Sequence, residues 1–111
     1  EQQKIYYLEQ IRKDSLEIES LKSDDARLEE LESMVNSCRG DLMTRLRISC
    51  PKLSERELKV ALYSYAGFSS RAICIFIDSN PVALSKMKYR IKAKIKESEC
   101  EDADLLISAL N

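Results

Sequence analysis

The sequence predicts an all-α protein, and three observations carry this prediction. Helix-forming residues dominate its 111 positions, whereas glycine and proline together occupy only four. Apolar residues recur at spacings of three and four, which is the periodicity of one helix face. Residues that cap helices precede several of these periodic segments. We expect a long N-terminal helix or coiled-coil segment, followed by a compact helical domain.

The N-terminal part of the chain has the spacing of a coiled coil. Apolar residues separated by seven, three and seven positions form one seam: Ile11, Ile18, Leu21 and Leu28. Asp14 and Asp25 interrupt this seam. We interpret residues 1–48 as a helical coiled-coil or linker segment that pairs two copies of the chain or relays a signal. A solvated helix without a partner is the alternative.

A second amphipathic helix is expected within this part of the chain. Ser23 or Asp24 offers an N-cap, and acidic residues in the first turn interact favourably with the helix dipole. The apolar face consists of Leu28, Leu31, Val35, Cys38 and Leu42. Gly40 is expected to end or kink this helix. Asp41 then stands where it could cap a short amphipathic helix in DLMTRLRI, which Pro51 stops.

The segment LSERELKVALYSYAGF predicts the first helix of the compact domain. Ser54 and Glu57 have the spacing of a capping box, in which each side chain bonds to the backbone of the other residue. Its core face is expected to consist of Leu58, Ala61, Leu62 and Tyr65. Gly67 stands where a left-handed residue ends a helix. An ion pair between Glu57 and Lys94 is a weaker alternative to the capping role.

Two further helices follow. The run AICIFI could form a strand by composition, but Ser69 or Ser70 supplies a helix cap, and Ile73 and Ile77 are one helical turn apart. We therefore predict a short buried helix, a tight turn at DSN, and a new helix with Pro81 at its first position.

Residues 80–96, NPVALSKMKYRIKAKIK, combine an apolar stripe with a concentration of positive charge. The stripe consists of Leu84, Met87, Ile91 and Ile95. The segment holds six basic residues and no acidic one. The side opposite the stripe carries Val82, Lys86, Tyr89, Arg90 and Ala93. Lys88 leans toward the stripe and must extend its ammonium group to water.

The net charge of −1 is the sum of three unequal blocks. Residues 1–40 carry ten acidic and six basic residues, a net charge of −4. Residues 41–96 carry four acidic and twelve basic residues, a net charge of +8, and residues 97–111 carry five acidic residues and no basic one. A basic middle block indicates an anionic partner, and a solvated helix surface is the alternative.

Composition argues against several classes of function. Histidine, the commonest general base, is missing, and there is no nucleophile motif or phosphate-binding glycine loop. We expect no enzyme, catalytic residue, small-molecule substrate or cofactor. Eleven or more residues separate the four cysteines, Cys38, Cys50, Cys74 and Cys100. That spacing differs from zinc sites, so we expect no metal and reduced thiols in a cytoplasmic protein.

Two features of the sequence concern membrane association and whether the chain is part of a larger protein. No apolar run reaches the length of a membrane-spanning helix. The sequence begins with Glu1 rather than Met, so we expect a fragment of a longer protein, with removal of the start by processing as the alternative.

Residues 53–110 resemble a LuxR-type DNA-binding domain. The stretch LSERELKVALYSYAGFSSRAICIFIDSNPVALSKMKYRIKAKI is similar to that family's opening L-T-x-R-E helix, glycine-containing loop, scaffold helix and T-V-K-x-H recognition helix. The tail EDADLLISAL is similar to the family's fourth helix. More closely, RLRISCPKLSEREL and KYRIKAKI resemble regulators of Bacteroidetes. Those regulators place the domain after tetratricopeptide repeats, a membrane segment and a coiled coil, so this piece could be the cytoplasmic part of a membrane-anchored protein.

The resemblance implies that residues 49–111 form the helix-turn-helix domain of a transcriptional regulator. Residues 81–96 would then lie in the major groove of double-stranded DNA, and the N-terminal helices would join a homodimer. It implies base contacts from Ser85, Lys86, Tyr89 and Arg90. Phosphates are expected near Lys92, Lys94 and Lys96, where the helix leaves the groove. Ala83 and Ser85 stand where the wider family has Thr and Lys.

Two other functions are compatible with these patterns. One is a helical protein–protein interaction module whose basic face meets an acidic protein. The other is a domain like the fourth region of bacterial sigma factors, which shares the helix-turn-helix. Salt-dependent binding to duplex DNA separates the DNA-binding functions from the interaction module. Tyr89 either contacts DNA or packs on the preceding helix.

Overall fold

The computed structural model describes residues 25–110, with side chains from Arg27 onward. Over this range the chain forms six helices and no strand: α1 (Asp25–Cys38), α2 (Leu42–Ser49), α3 (Glu55–Ala66), α4 (Ser70–Phe76), α5 (Pro81–Glu97) and α6 (Ala103–Ser108). The predicted all-α class is confirmed. The predicted coiled-coil seam before Leu28 and the predicted caps at Ser23 and Asp24 lie outside the described residues.

All six helices share one hydrophobic core. Leu28 of α1 and Leu46 of α2 belong to the same buried cluster as Ile91 of α5 and Leu106 of α6. The hydroxyl of Tyr65 donates a hydrogen bond of 2.9 Å to the Leu106 carbonyl, which fastens α6 to α3. Residues on both sides of the domain boundary predicted between residues 48 and 49 contribute to this core.

The apolar face predicted for α1 is buried where it meets that core. Leu28, Leu31 and Val35 are buried, and Cys38 is half-buried. The helix ends at Cys38, just before Gly40, the residue expected to end or kink it, and Leu42 begins α2. Apolar packing is thus the main attachment of α1 to the other helices.

The turn between α1 and α2 differs from the prediction in its cap. Gly40 and Asp41 have φ angles of 62° and 60°, in the left-handed region. Asp41 occupies the N-cap position of α2, but its side chain makes no capping hydrogen bond. An N-cap side chain reaches the first turn from an extended backbone, which Asp41 lacks. The Asn36 Oδ1 atom accepts instead from the backbone N–H groups of Met43, at 3.0 Å, and Thr44, at 3.3 Å.

Two arginines add polar links between α1 and its neighbours. The guanidinium of Arg47 on α2 donates to both carboxylate oxygens of Glu32, at 2.7 and 2.8 Å. This ion pair raises the pKa of Arg47, with the Glu32 hydrogen bond as the main cause. Arg39, just after α1, donates to the Tyr65 carbonyl at 2.9 Å. These bonds orient α1 against α2 and the end of α3.

Helix α3 is the central helix and has the predicted ends. Ser54 and Glu57 form the full capping box, and Gly67 closes the helix with a φ of 92°. The predicted single core face is wrong in extent, because every residue from Val60 to Ala66 is buried. The reason is position: α3 packs against α1, α2, α4 and α5. Such a surrounded helix has no solvent face in its second half.

The segment around AICIFI forms a helix, as predicted, and not a strand. Ser69 is its N-cap, with the hydroxyl accepting from the Ala72 N–H at 3.1 Å. Phe76 packs against Tyr63 of α3, with ring centroids 4.8 Å apart. This aromatic contact and the buried Ile73 hold α4 on α3.

Candidate nucleic-acid interface

Four residues, 77–80, connect α4 to α5, one more than the predicted turn DSN. Ile77 is added to the turn as the C-cap residue of α4. Pro81 takes the first position of α5, as predicted. The cap comes from Asn80, whose Oδ1 accepts from the Ala83 N–H at 2.9 Å. Asparagine is a common N-cap, so the Asn-Pro pair in the sequence was a usable signal for this start.

The predicted apolar stripe of α5 is buried along its whole length. Leu84, Met87, Ile91 and Ile95 have exposed fractions of 9% or less. They pack on α3, α4 and α6, the helices that contact α5. Burial of the stripe determines which side of α5 faces outward.

The outward side of α5 carries most of the residues predicted to bind DNA. Ser85, Lys86, Tyr89, Arg90 and Lys96 are exposed. Tyr89 has 75% of its surface exposed, which decides against the alternative that it packs on the preceding helix. Within residues 25–110, no ion pair involves Lys86, Arg90 or Lys96. Their positive charges are therefore presented to solvent.

The remaining two predicted DNA-binding residues, Lys92 and Lys94, are half-buried. The Lys94 Nζ atom lies 2.7 Å from Glu57 Oε1, and the same oxygen accepts from the Ser54 N–H at 2.9 Å. One carboxylate therefore performs both roles that the sequence offered for Glu57. The ammonium of Lys94 is directed toward α3 and joins the first turn of that helix to α5.

The pKa of Glu57 reflects this setting. Burial of the carboxyl opposes its ionisation and is the largest single influence. The hydrogen bonds from Lys94 and from Ser54 together outweigh burial, so the pKa of Glu57 is lowered. The ionised carboxylate is the form that this junction stabilises.

Lys88 behaves as its position on the helix predicted. Its side chain is half-buried beside the stripe, and burial lowers its pKa, with a smaller contribution from the positive charge of Lys92. Burial and, to a smaller extent, repulsion by Lys92 therefore disfavour the charged form of Lys88. An anionic partner would relieve that repulsion.

Arg56 is a positioning residue that local patterns in the sequence did not indicate. Its guanidinium donates to the Ile77 carbonyl at 3.0 Å and so ties the start of α3 to the turn before α5. An open cleft of about 360 Å³ lies beside it, lined by Ser54, Arg56, Glu57, Met87, Arg90 and Lys94. Arg71 is exposed in the first turn of α4 and is a second basic residue that was not among the predicted DNA-binding residues.

Three further features of the described residues concern the thiols, metal ligands and helix lengths. The four cysteines are free thiols, and burial raises the pKa of Cys50. Residues 25–110 hold no cluster of three or more side chains suited to a metal ion. None of the six helices is long and apolar enough to cross a bilayer.

Comparison of the chain with protein-family models, with curated proteins and with solved structures gave no match. The helix arrangement and the chemistry of the α5 surface are therefore the grounds on which a function can be argued.

Proposed function

We propose that this chain is a DNA-binding transcriptional regulator whose residues 49–111 form a LuxR-type helix-turn-helix domain. In this proposal α4 is the supporting helix and α5 the recognition helix, which enters the major groove of duplex DNA. The order of α3, α4 and α5 supports the proposal. So do the cap at Asn80 and the four-residue connection before α5.

One observation carries the proposal: α5 is buried along one side and basic along the other. Its inner stripe is in the core, while Lys86, Arg90 and Lys96 are exposed without an ion pair in the described residues. Lys86 and Arg90 are four residues apart on the helix, where two like charges destabilise it by about 0.2–0.5 kcal/mol. Duplex DNA, with its dense line of phosphates, complements such a surface.

The residues of the outer side divide into two roles by their distance along α5. Ser85, Lys86, Tyr89 and Arg90 lie in the first three turns, which contact base edges in helix-turn-helix docking. Arg90 can bond a guanine at two atoms, and Lys86 can reach the same acceptors. Lys92 and Lys96 lie farther along and are assigned to phosphates. Lys94 is assigned mainly to orienting α5 because Glu57 holds its ammonium.

Salt dependence is the experiment that tests DNA binding. If each chain neutralises roughly four to six phosphates, log affinity should fall against log salt concentration with a slope of about −4 to −5. This slope can be measured by fluorescence anisotropy. A labelled random duplex is titrated with the protein at salt concentrations between roughly 50 and 300 mM. Binding that does not change with salt, or no binding, would contradict the proposal and favour a protein–protein interaction module.

We further propose that residues 1–22 join two copies of the chain. A lone helix of about twenty residues is marginally stable in water, so an apolar seam there needs a partner. Dimerisation would place two recognition helices at half-sites about 34 Å apart. Light scattering on the chain with and without residues 1–22 should give a dimer and a monomer. Two monomers would exclude pairing and leave a segment that folds back on its own domain.

A further inference from the structure

We infer that Val82 is a specificity-determining residue that reads the methyl group of a thymine in the DNA site. The inference rests on the proposed function, because it requires α5 to lie in the major groove. Val82 stands one position after Pro81 and is not among the basic and polar residues assigned to DNA above.

Exposure of Val82 is the first observation. Two-thirds of its surface, 66%, is exposed, compared with 75% for Tyr89 on the same helix. Val82 precedes Lys86 by four residues and Tyr89 by seven, so the three share one side of the helix. An apolar group therefore stands at the N-terminal end of the outward surface.

No role within the described structure accounts for a valine at this position. The start of α5 is determined by Asn80 as cap and Pro81 at the first position. Valine is a weaker helix former than alanine because its branched side chain loses rotamer freedom. That same stiffness holds the two methyl groups of Val82 in one orientation, which suits a fixed apolar contact.

The major groove offers one apolar group to such a side chain. Thymine presents its C5-methyl there, whereas the other bases present hydrogen-bond donors or acceptors. The first residues of a recognition helix reach base edges in helix-turn-helix docking. Lys86 is about 6 Å farther along the helix, close to two base-pair steps. The preferred site should therefore contain a thymine within about two base pairs of the guanine contacted by Lys86 or Arg90.

The test begins with duplexes selected from a random pool by the wild-type protein. Each thymine of the best duplex is then replaced in turn by deoxyuridine, which lacks only the methyl group. At one position this change should weaken wild-type binding about fourfold, the effect of one buried methyl-sized group. Val82→Ala should bind the thymine duplex about as weakly as wild type binds the uracil duplex, and should show no further loss with uracil.

Ile48→Ala is the matched control. Ile48 is another β-branched residue on a helix surface, 76% exposed, and it lies on α2 outside the proposed DNA surface. This variant should keep the fourfold methyl effect. Circular dichroism and urea midpoints should match wild type for both variants because neither side chain is buried.

The outcomes separate the two proposals. If wild type binds duplex DNA but no uracil substitution weakens it, or if Val82→Ala shows the same methyl effect as wild type, the assignment of Val82 is overturned and the proposed function stands. If wild type binds no duplex, the proposed function fails and the inference fails with it.

Discussion

The two sides of helix α5 are built from different residues for different purposes. The inner side holds Leu84, Met87, Ile91 and Ile95, all buried, and the outer side holds polar, basic and aromatic residues that are exposed. The inner side has many partners among the other helices, and the outer side has few within the described residues. Burial of the inner side thus determines how the outer side is oriented, although the inner residues are not part of the outer surface.

A second contrast shows why charge alone is a poor guide to a binding surface. Arg45 and Arg47 on α2 are paired with Asp102 and Glu32, and Arg56 on α3 is bonded to the Ile77 carbonyl. These bases of the +8 block join helices to each other. On α5 the ammonium of Lys94 is paired with Glu57, whereas Lys86, Arg90 and Lys96 have no ion pair within the described residues. The part of the charge available to a partner is therefore concentrated on the outer side of α5.

The largest expected effect is a difference in the free energy of unfolding between substitutions on the inner and outer sides of α5. Ile91→Ala should lower the free energy of unfolding by about 2–5 kcal/mol because it leaves a cavity at a fully buried site. Tyr89→Ala, two residues away but 75% exposed, should change it by no more than about 0.5 kcal/mol. Urea denaturation followed by circular dichroism measures both. Equal losses would show that α5 is not oriented as described.

The next largest expected effect is on DNA affinity and sequence preference, and it involves the outer side of α5 alone. Arg90→Ala should cost about 1–3 kcal/mol on the best duplex and relax its preference over random duplexes, without a change in helical content. Competition binding gives the ratio of the two affinities. Arg45→Ala is the control, since that arginine is exposed and paired with Asp102 at 3.3 Å. A wild-type ratio in Arg90→Ala would refute the assignment of Arg90 to base reading.

The junction between Glu57 and Lys94 predicts a pH dependence. Because the folded-state pKa of Glu57 is lowered, its contribution to stability is present above about pH 4.5 and is lost as pH falls through the folded-state value. Glu57→Gln keeps a capping side chain but loses the charge, so we expect a loss of about 1–2 kcal/mol at pH 7. The difference from wild type should shrink in acid.

Glu55→Gln provides the comparison for that experiment. Glu55 lies in the same first turn of α3 but is exposed. Urea midpoints measured from pH 7 to about pH 3 should show the acid-sensitive component in wild type and in Glu55→Gln, and its reduction in Glu57→Gln. A difference that stays constant across this range would mean that the ionised carboxylate adds nothing to stability.

The smallest effect distinguishes two lysines on the same helix. Lys96→Ala should weaken binding to all duplexes about equally and flatten the salt slope by about one unit, as expected for a phosphate contact. Lys94→Ala should instead lower stability, with a smaller change in slope, because Glu57 already holds its ammonium. Similar slope changes in the two variants would show that the ion pair opens when DNA binds.

Local signals in the sequence predicted most of the helix ends. These signals involve residues within one or two helical turns of each other, so they are visible in the sequence. They are the capping box of Ser54 and Glu57, the left-handed Gly67 and Pro81 at the first position of α5. The buried stripe of α5 follows from a periodicity of three and four. These features depend on neighbouring residues alone.

Contacts between distant residues could not be predicted in this way. Asn36 replaces Asp41 as the acceptor at the start of α2, and Arg39 reaches the Tyr65 carbonyl across 26 residues. Tyr63, which is outside the predicted core face of α3, is buried because of where α1 and α4 pack. Such features follow from the assembled core, which no local pattern encodes.

The packing of α1 into the common core has a mechanical consequence. Leu28, Leu31 and Val35 engage the same cluster that holds Ile91. Within the described residues, side-chain contacts through this core connect α1 to α5. A rotation imposed on α1 would therefore also change the orientation of the outer side of α5.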